Sequence, residues 1–187
     1  MNTNIHYDYY FDMDGVLNVF EFGAPKEILF LPGYFLCRPA QQNFVDALNR
    51  MLEMEKAGRP FKIYVLSKFL TDNQWALEEK HKWLNRYTPR LPNDRRIFLS
   101  NEEDKSQHIN ISPHSVLIDD FGDNLIEFKN KGGKIIKVAA DAADRRREAK
   151  KWPACLSPEQ PPEQMISNIL AFQNYETLYG KELNWNR

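Results

Sequence analysis

Apolar residues along the chain fall into two alternating patterns. Short runs rich in aromatic and β-branched residues recur at long intervals, at residues 7–11, 61–66, 97–99, 116–118 and 134–138. Several are bounded by turn residues, such as Gly58-Arg59-Pro60 and Gly132-Gly133. Runs this short with such flanks predict strands. Between them the apolar positions recur with helical spacing. Over residues 40–57, Phe44, Leu48, Met51 and Leu52 share a face, and Gly58 is placed to end the helix. Over residues 73–87 the shared face carries Ala76, Lys80, Trp83, Leu84 and Tyr87. Residues 123–131 predict a short helix with an acidic start, favourable at the positive end of its dipole, and Asp123 is its expected cap. Pro162 opens a last helix with Met165, Ile169 and Phe172 as its stripe. Strands alternating with helices predict an α/β architecture, a mostly parallel sheet with helices on both faces.

One stretch breaks this rhythm. Residues 18–40 hold Gly23, Pro25, Pro32, Gly33 and Pro39, with Phe20, Phe22, Phe30, Tyr34 and Phe35 between them. They read as an insertion forming a small cap over the strand ends. The 187 residues are expected to form a single domain, with residues 152–187 as a C-terminal helical segment.

Composition narrows the function classes. A formal net charge of −1 gives no reason to expect a polyanion as partner. The basic run Arg145-Arg146-Arg147 with Lys150-Lys151 is offset by Asp141, Asp144 and Glu148, so it reads as a solvated helix face. The two cysteines, Cys37 and Cys155, are too far apart in sequence to suggest a zinc motif. No apolar run reaches the ~18 residues of a membrane span, and the first residues lack a signal-peptide pattern. The expectation is a soluble cytoplasmic protein with reduced thiols and neither membrane nor nucleic-acid partner.

The chemistry gathers at strand ends. The first strand runs into Asp12-Met13-Asp14-Gly15, the second into Ser67-Lys68, and the fourth into Asp119-Asp120-Phe121-Gly122-Asp123. Parallel strands bring their carboxyl ends to one edge of a sheet, where α/β proteins bind ligands. Carboxylates crowded there cannot all ionise unaided, and a divalent cation with oxygen ligands, Mg²⁺, resolves the conflict. Ser67, Lys68 and a further lysine are placed to hold phosphate oxygens. Lys105 is one candidate, with ion pairing to Glu102, Glu103 and Asp104 as its rival reading. Lys80 is the other, with a solvated helix face as the alternative. Gly15 would let backbone N–H groups approach a phosphate closely. Phe20, Phe22, Tyr34 and Phe35 are either core or a stacking platform for a base.

Asp12-Met13-Asp14-Gly15-Val16-Leu17 resembles the first motif of the haloacid dehalogenase-like hydrolase superfamily. Ser67, Lys105 and Leu117-Ile118-Asp119-Asp120 resemble its second, third and fourth motifs in order, so the resemblance covers roughly residues 5–140. Within it, Leu31-Pro32-Gly33-Tyr34-Phe35 and Glu79-Lys80-His81-Lys82-Trp83-Leu84 look like the corresponding regions of 5′(3′)-deoxyribonucleotidases. The resemblance implies a Rossmann-like fold and a Mg²⁺-dependent phosphatase acting on nucleoside monophosphates. It implies Asp12 as nucleophile and Asp14 as general acid and base. It implies a metal site formed by Asp12, the Asp14 carbonyl and Asp120, with Asp119 directly or through water, and phosphate contacts from Gly15, Ser67, Lys68, Lys105 and Lys80, with Phe35 toward the base. The alternatives are a phosphatase for another small phosphorylated metabolite and a non-catalytic phosphate-binding module.

Overall fold

The computed structural model describes residues 5–179 apart from 22, 24 and 153, with side chains to residue 171 except that of residue 26. Six strands form one sheet: β1 (Tyr7–Phe11), β2 (Phe61–Phe69), β3 (Arg96–Ser100), β4 (Ser115–Asp119), β5 (Lys134–Val138) and β6 (Cys155–Leu156). Their order is β3-β2-β1-β4-β5-β6, and every pairing is parallel. The helices are α1 (Gln42–Lys56), α2 (Ala76–Tyr87), α3 (Gly122–Asn130), α4 (Ala142–Glu148) and α5 (Pro162–Tyr179). The sheet grows in both directions from β1, so β1 is central and buried on both faces.

Strand alternation sorts the core into two layers. Tyr9, Phe11, Ile63, Val65 and Ile118 point to one face and pack with Phe44, Leu48, Trp83, Met165 and Ile169 from α1, α2 and α5. Tyr10, Leu66 and Leu117 point to the other and pack with Leu125 and Phe128 of α3. Burial of side chains of this size contributes about 1.5–3 kcal/mol each. The helical stripe of α1 is therefore the seam that docks it on the sheet. The helix ends where Gly58 takes φ +91°, which lets its N–H and that of Arg59 turn back to Glu55 and Met54 carbonyls.

Three expectations need correcting here. The segment after residue 152 contains strand β6 as well as a helix, because Cys155 and Leu156 extend the sheet beside β5. Asp123 does not cap α3. The cap position is Phe121, without a side-chain bond, and the Phe121 N–H is taken by Asp119 Oδ1 at 2.7 Å. Asp119 is the last residue of β4, one beyond the run expected at residues 116–118. Phe22 lies outside the described residues, as does the side chain of Phe172.

Residues 18–40 leave and re-enter the fold at one point: Asn18 bridges Ala40, and the Val19 N–H donates to the Pro39 carbonyl at 2.9 Å. Inside, Tyr34 and Phe35 pack with Ala76 of α2, and Phe20, Leu29, Phe69 and Leu70 close the cluster. Trp83 Nε1 donates to the Arg38 carbonyl at 2.9 Å, tying the end of the segment to α2. Among the described residues, no helix is long and apolar enough to cross a membrane.

Candidate active site

The parallel register aligns Phe11 with Ile118, so Asp12 and Asp119 emerge side by side at the carboxyl edge of the central strands. Alternation sends Asp12 to the face of Tyr10 and Asp119 to the face of Leu117, the layer that α3 covers. Lys105, in a short 3-10 turn before β4, enters the same face. Its Nζ lies 2.8 Å from Asp12 Oδ1 and 2.7 Å from Asp119 Oδ2. Asn124 of α3 donates to the same Asp119 oxygen at 3.0 Å, while Phe121 N–H holds the other. Lys105 is 1% exposed and Asp119 fully buried. Burial alone would push the Lys105 ammonium pKa down, but the charges and hydrogen bonds of Asp119 and Asp12 more than reverse this, leaving it above the ordinary lysine value. Its ion-pair partners are thus the strand-end aspartates and not its neighbours in sequence.

Asp120 follows after the strand has ended, and its carboxylate turns over Gly15. A Cβ at Gly15 would sit 2.0 Å from Asp120 Oδ2 and displace that carboxylate, and Gly15 has φ +80°, which favours glycine. The Asp120 carbonyl accepts from Lys137 Nζ at the end of β5. Carboxylate oxygens of Asp12, Asp119 and Asp120 lie within 4.8 Å of one another. Burial, followed by the charges of Asp12 and Asp119, pushes the Asp120 carboxyl up to about 8. Such a crowd of oxygen donors, with Asp119 and Asp120 both disfavoured as anions by burial, suits a hard divalent cation.

The second half of the site faces α2. The chain does not stay extended from Asp12 to Asp14. It turns at Met13, whose carbonyl accepts from Leu17 N at 2.9 Å and Asn18 N at 3.0 Å. The two carboxylates consequently meet different cations. Asp14 Oδ2 is 2.5 Å from Lys80 Nζ, and Asp14 Oδ1 accepts from Asn18 Nδ2 at 2.9 Å. Lys80 also donates to Ser67 Oγ at 3.1 Å and to the Lys68 carbonyl at 2.6 Å, giving its three protons three acceptors. It is fully buried, on the same stripe as Trp83 and Leu84, so the solvated-face alternative for Lys80 is excluded.

Asp12, Asp14, Gly15, Ser67, Lys80, Lys105, Asp119 and Asp120 are therefore brought together. Two expected contributors are placed differently. Phe35 is 3% exposed, within the Tyr34–Ala76 cluster, and its ring centre lies 5.2 Å from Lys80 Nζ. It packs against the lysine rather than offering a face to a base, which corrects the stacking expectation. Lys68 sits on the sheet face opposite Ser67 and contributes its backbone carbonyl to Lys80.

Several neighbours lie outside the four ordered motifs. Asn18 and Asn124 satisfy the carboxylates, and Lys137 reaches from a fifth strand. Glu79, buried beside Lys80, accepts the N–H groups of Gly33 at 2.5 Å, Phe35 at 3.0 Å and Leu36 at 3.4 Å. Glu79 opens the stretch 79–84 that resembles deoxyribonucleotidases, and consecutive charges at Glu79 and Lys80 between the apolar positions Ala76 and Trp83 are a further signal for it.

No family model matches the chain, and no curated protein matches it. Among solved structures, it superposes on D,D-heptose 1,7-bisphosphate phosphatase from Burkholderia thailandensis with a TM-score of 0.56. Sequence identity is 15%, covering 88% of this chain and 99% of that one. The chain has an α/β, Rossmann-like fold with a six-stranded parallel sheet, similar to that of this phosphatase.

Proposed function

We propose that the chain is a Mg²⁺-dependent phosphatase of the haloacid dehalogenase-like type that forms an aspartyl-phosphate. The observation that carries this reading is the juxtaposition of Asp12, Asp119 and Asp120 oxygens within 4.8 Å, flanked by the buried Lys105 and Lys80. The similarity in fold to a sugar bisphosphate phosphatase supports the same reaction class.

Asp12 attacks phosphorus, since it lies at the edge of the central strand with Lys105 holding its other side in place. Asp14 gives a proton to the leaving oxygen and then takes one from water. An incoming phosphoryl group competes with Asp14 for the Lys80 ammonium, and Ser67 Oγ beside that ammonium offers a further hydrogen bond. The three carboxylates fit a cation. Asp12 and Asp120 would hold it with the Asp14 carbonyl, because both oxygens of Asp119 are engaged by Lys105, Asn124 and Phe121 N–H. Asp119 thereby orients Lys105 rather than binding directly. When bound, the cation neutralises charge on the transferring phosphoryl group.

The substrate class we propose is a nucleoside monophosphate, resting on the sequence resemblance of residues 31–35 and 79–84 to deoxyribonucleotidases. The second reading, a phosphorylated sugar, is favoured by the structural neighbour's own substrate. Phosphate release from nucleoside and sugar monophosphates, with Mg²⁺ and with EDTA, tests the proposal. Mg²⁺-dependent release supports it, undiminished release in EDTA removes the metal, and no release from any substrate by folded protein leaves the non-catalytic binder.

A further inference from the structure

On the cap side of the site stands a guanidinium without a carboxylate. Arg38 lies near the end of the 18–40 segment, where Trp83 Nε1 holds its carbonyl at 2.9 Å. Its Cζ lies over the Tyr34 ring, 4.2 Å from the ring centre. Tyr34 is fixed in turn, since Glu79 takes the N–H groups of Gly33 and Phe35 on either side of it. Tyr34 is 7% exposed, and its hydroxyl and Arg38 Nε are both buried without a hydrogen-bond partner. No acceptor in the fold therefore takes the proton of either group. Among the described residues no carboxylate pairs with Arg38.

The pair borders the space a leaving group needs. Burial holds the Tyr34 phenol above its ordinary value, Arg38 works against this, and the charges of Asp14 and Glu21 add to it, so Asp14 is within electrostatic reach. Asp14 is already matched by Lys80 at 2.5 Å, and Glu21 is exposed, where solvent screens it. A cavity of ≈ 550 Å³ opens at Gly15 and Asp120 and extends to Phe20, which packs in the same cluster as Tyr34 and Phe35. General-acid chemistry sets the leaving oxygen against Asp14, so the leaving group lies between the strand ends and this cluster. Lys80 has its three protons engaged, whereas the charge of Arg38 is unspent.

Buried donors without acceptors point to a ligand that brings oxygen. A guanidinium fork beside a phenol O–H matches an oxyanion, which accepts several such bonds at once. We infer that Arg38 and Tyr34 hold a second oxyanion of the substrate, a phosphate or carboxylate on the leaving group, and so select for doubly anionic substrates. The inference rests on the phosphatase reading and goes beyond its substrate classes: a nucleoside or a sugar phosphate would carry a second anionic group.

The test compares matched pairs: a deoxynucleoside 5′-monophosphate with its 3′,5′-bisphosphate, a pentose 5-phosphate with the 1,5-bisphosphate, and glycerol 3-phosphate with 3-phosphoglycerate. The first two pairs add a phosphate and the third a carboxylate. In the wild type kcat/KM is expected to favour the doubly anionic member about tenfold in at least one pair, the worth of a charge-assisted hydrogen bond. Arg38→Gln should bring that ratio to about one, and Tyr34→Phe should lower it about threefold. Tyr34→Phe also serves if Arg38→Gln misfolds, and it separates function from structure. A buried hydroxyl without a partner does not stabilise the free protein, so the melting temperature should hold or rise while the ratio falls. A lowered melting temperature would return the hydroxyl to the fold and overturn its part. No preference in any pair, or a preference that either folded variant keeps, overturns the assignment. If the wild type releases phosphate from none of the compounds, the phosphatase reading has failed on its own. Calorimetry of each pair then decides the anion site. Tighter binding of a doubly anionic member that Arg38→Gln abolishes keeps it, and binding that is equal within every pair, absent, or insensitive to Arg38→Gln overturns it.

Discussion

The site contains two buried lysines, each clamped between acidic and polar partners, yet the two clamps are built differently. Lys105 lies between Asp12 and Asp119, side chains at the ends of adjacent central strands, with α3 closing the layer beneath. Lys80 lies between Asp14, Ser67 Oγ and the Lys68 carbonyl, where one partner sits on a turn and another is backbone. The first clamp is therefore anchored by the sheet itself. The second depends on the turn at Met13 and on a loop that Glu79 fixes through three N–H groups. The contrast teaches where each half can fail: the strand-end half through uncompensated buried charge, the turn half through misplacement.

The largest effect should come from the proposed nucleophile. Asp12→Asn is expected to reduce kcat by on the order of 10³-fold or more with the fold retained. Asp14→Asn should instead let phosphoenzyme accumulate on an aryl phosphate, read by acid-quench labelling. Similar residual turnover in Asp12→Asn and wild type would break the division of roles.

Next in size, Lys105→Met removes the only ammonium in contact with Asp119, which is fully buried, among the described residues. Loss of one partner from a buried pair costs about 3–5 kcal/mol. Lys80→Met should cost less stability, since the Asp14 side chain is 18% exposed and keeps Asn18, but should lower kcat/KM strongly. Equal losses of melting temperature in the two variants would erase the distinction drawn between the clamps.

Glu79→Gln weakens charge-assisted bonds to the loop at residues 33–36, worth about 1.5–3 kcal/mol each at most in such settings. Hydrogen exchange at Gly33 and Phe35 should quicken, while exchange within β1 and β4 stays as before. Uniform protection changes would mean that the loop and sheet unfold as one unit.

The last test concerns pH. The Asp120 carboxyl, ordinarily near 3.8, is raised to about 8 in the fold. A carboxyl raised on folding contributes stability that is full below the unfolded value and is lost as pH rises through the folded one. The metal-free protein should thus lose stability between about pH 4 and pH 8. A bound cation favours the ionised carboxylate, so the rise in melting temperature on adding Mg²⁺ should be greater at pH 8 than at pH 6. An equal rise at both would detach Asp120 from the cation site.

Much of this was legible along the chain because it depends on local pattern. Alternation, short apolar runs and helical stripes gave five of the strands and the packing faces of α1 and α2, and strand-end acids followed from parallel pairing. Strand β6 was missed because Cys155-Leu156 is two residues long and becomes a strand only beside β5. Lys80 was ambiguous because a lysine on a helix is usually solvated, and only the packing of Ala76, Trp83 and Phe35 around it decides otherwise. Phe35 was misread because an aromatic carries the same sequence signal in a core and on a ligand platform.

Sequence alone determined the α/β layering and which strand ends carry carboxylates, since both follow from periodicities that each segment carries within itself. Tertiary structure decided which lysine meets which carboxylate, that Asp119 anchors while Asp120 turns over Gly15, and where a cavity opens. Those are contacts between residues far apart in sequence, 66 positions from Asp14 to Lys80 and more from Asp12 to Lys105, and no local pattern encodes them. They exist only after the sheet, its helices and the turn at Met13 have set the distances.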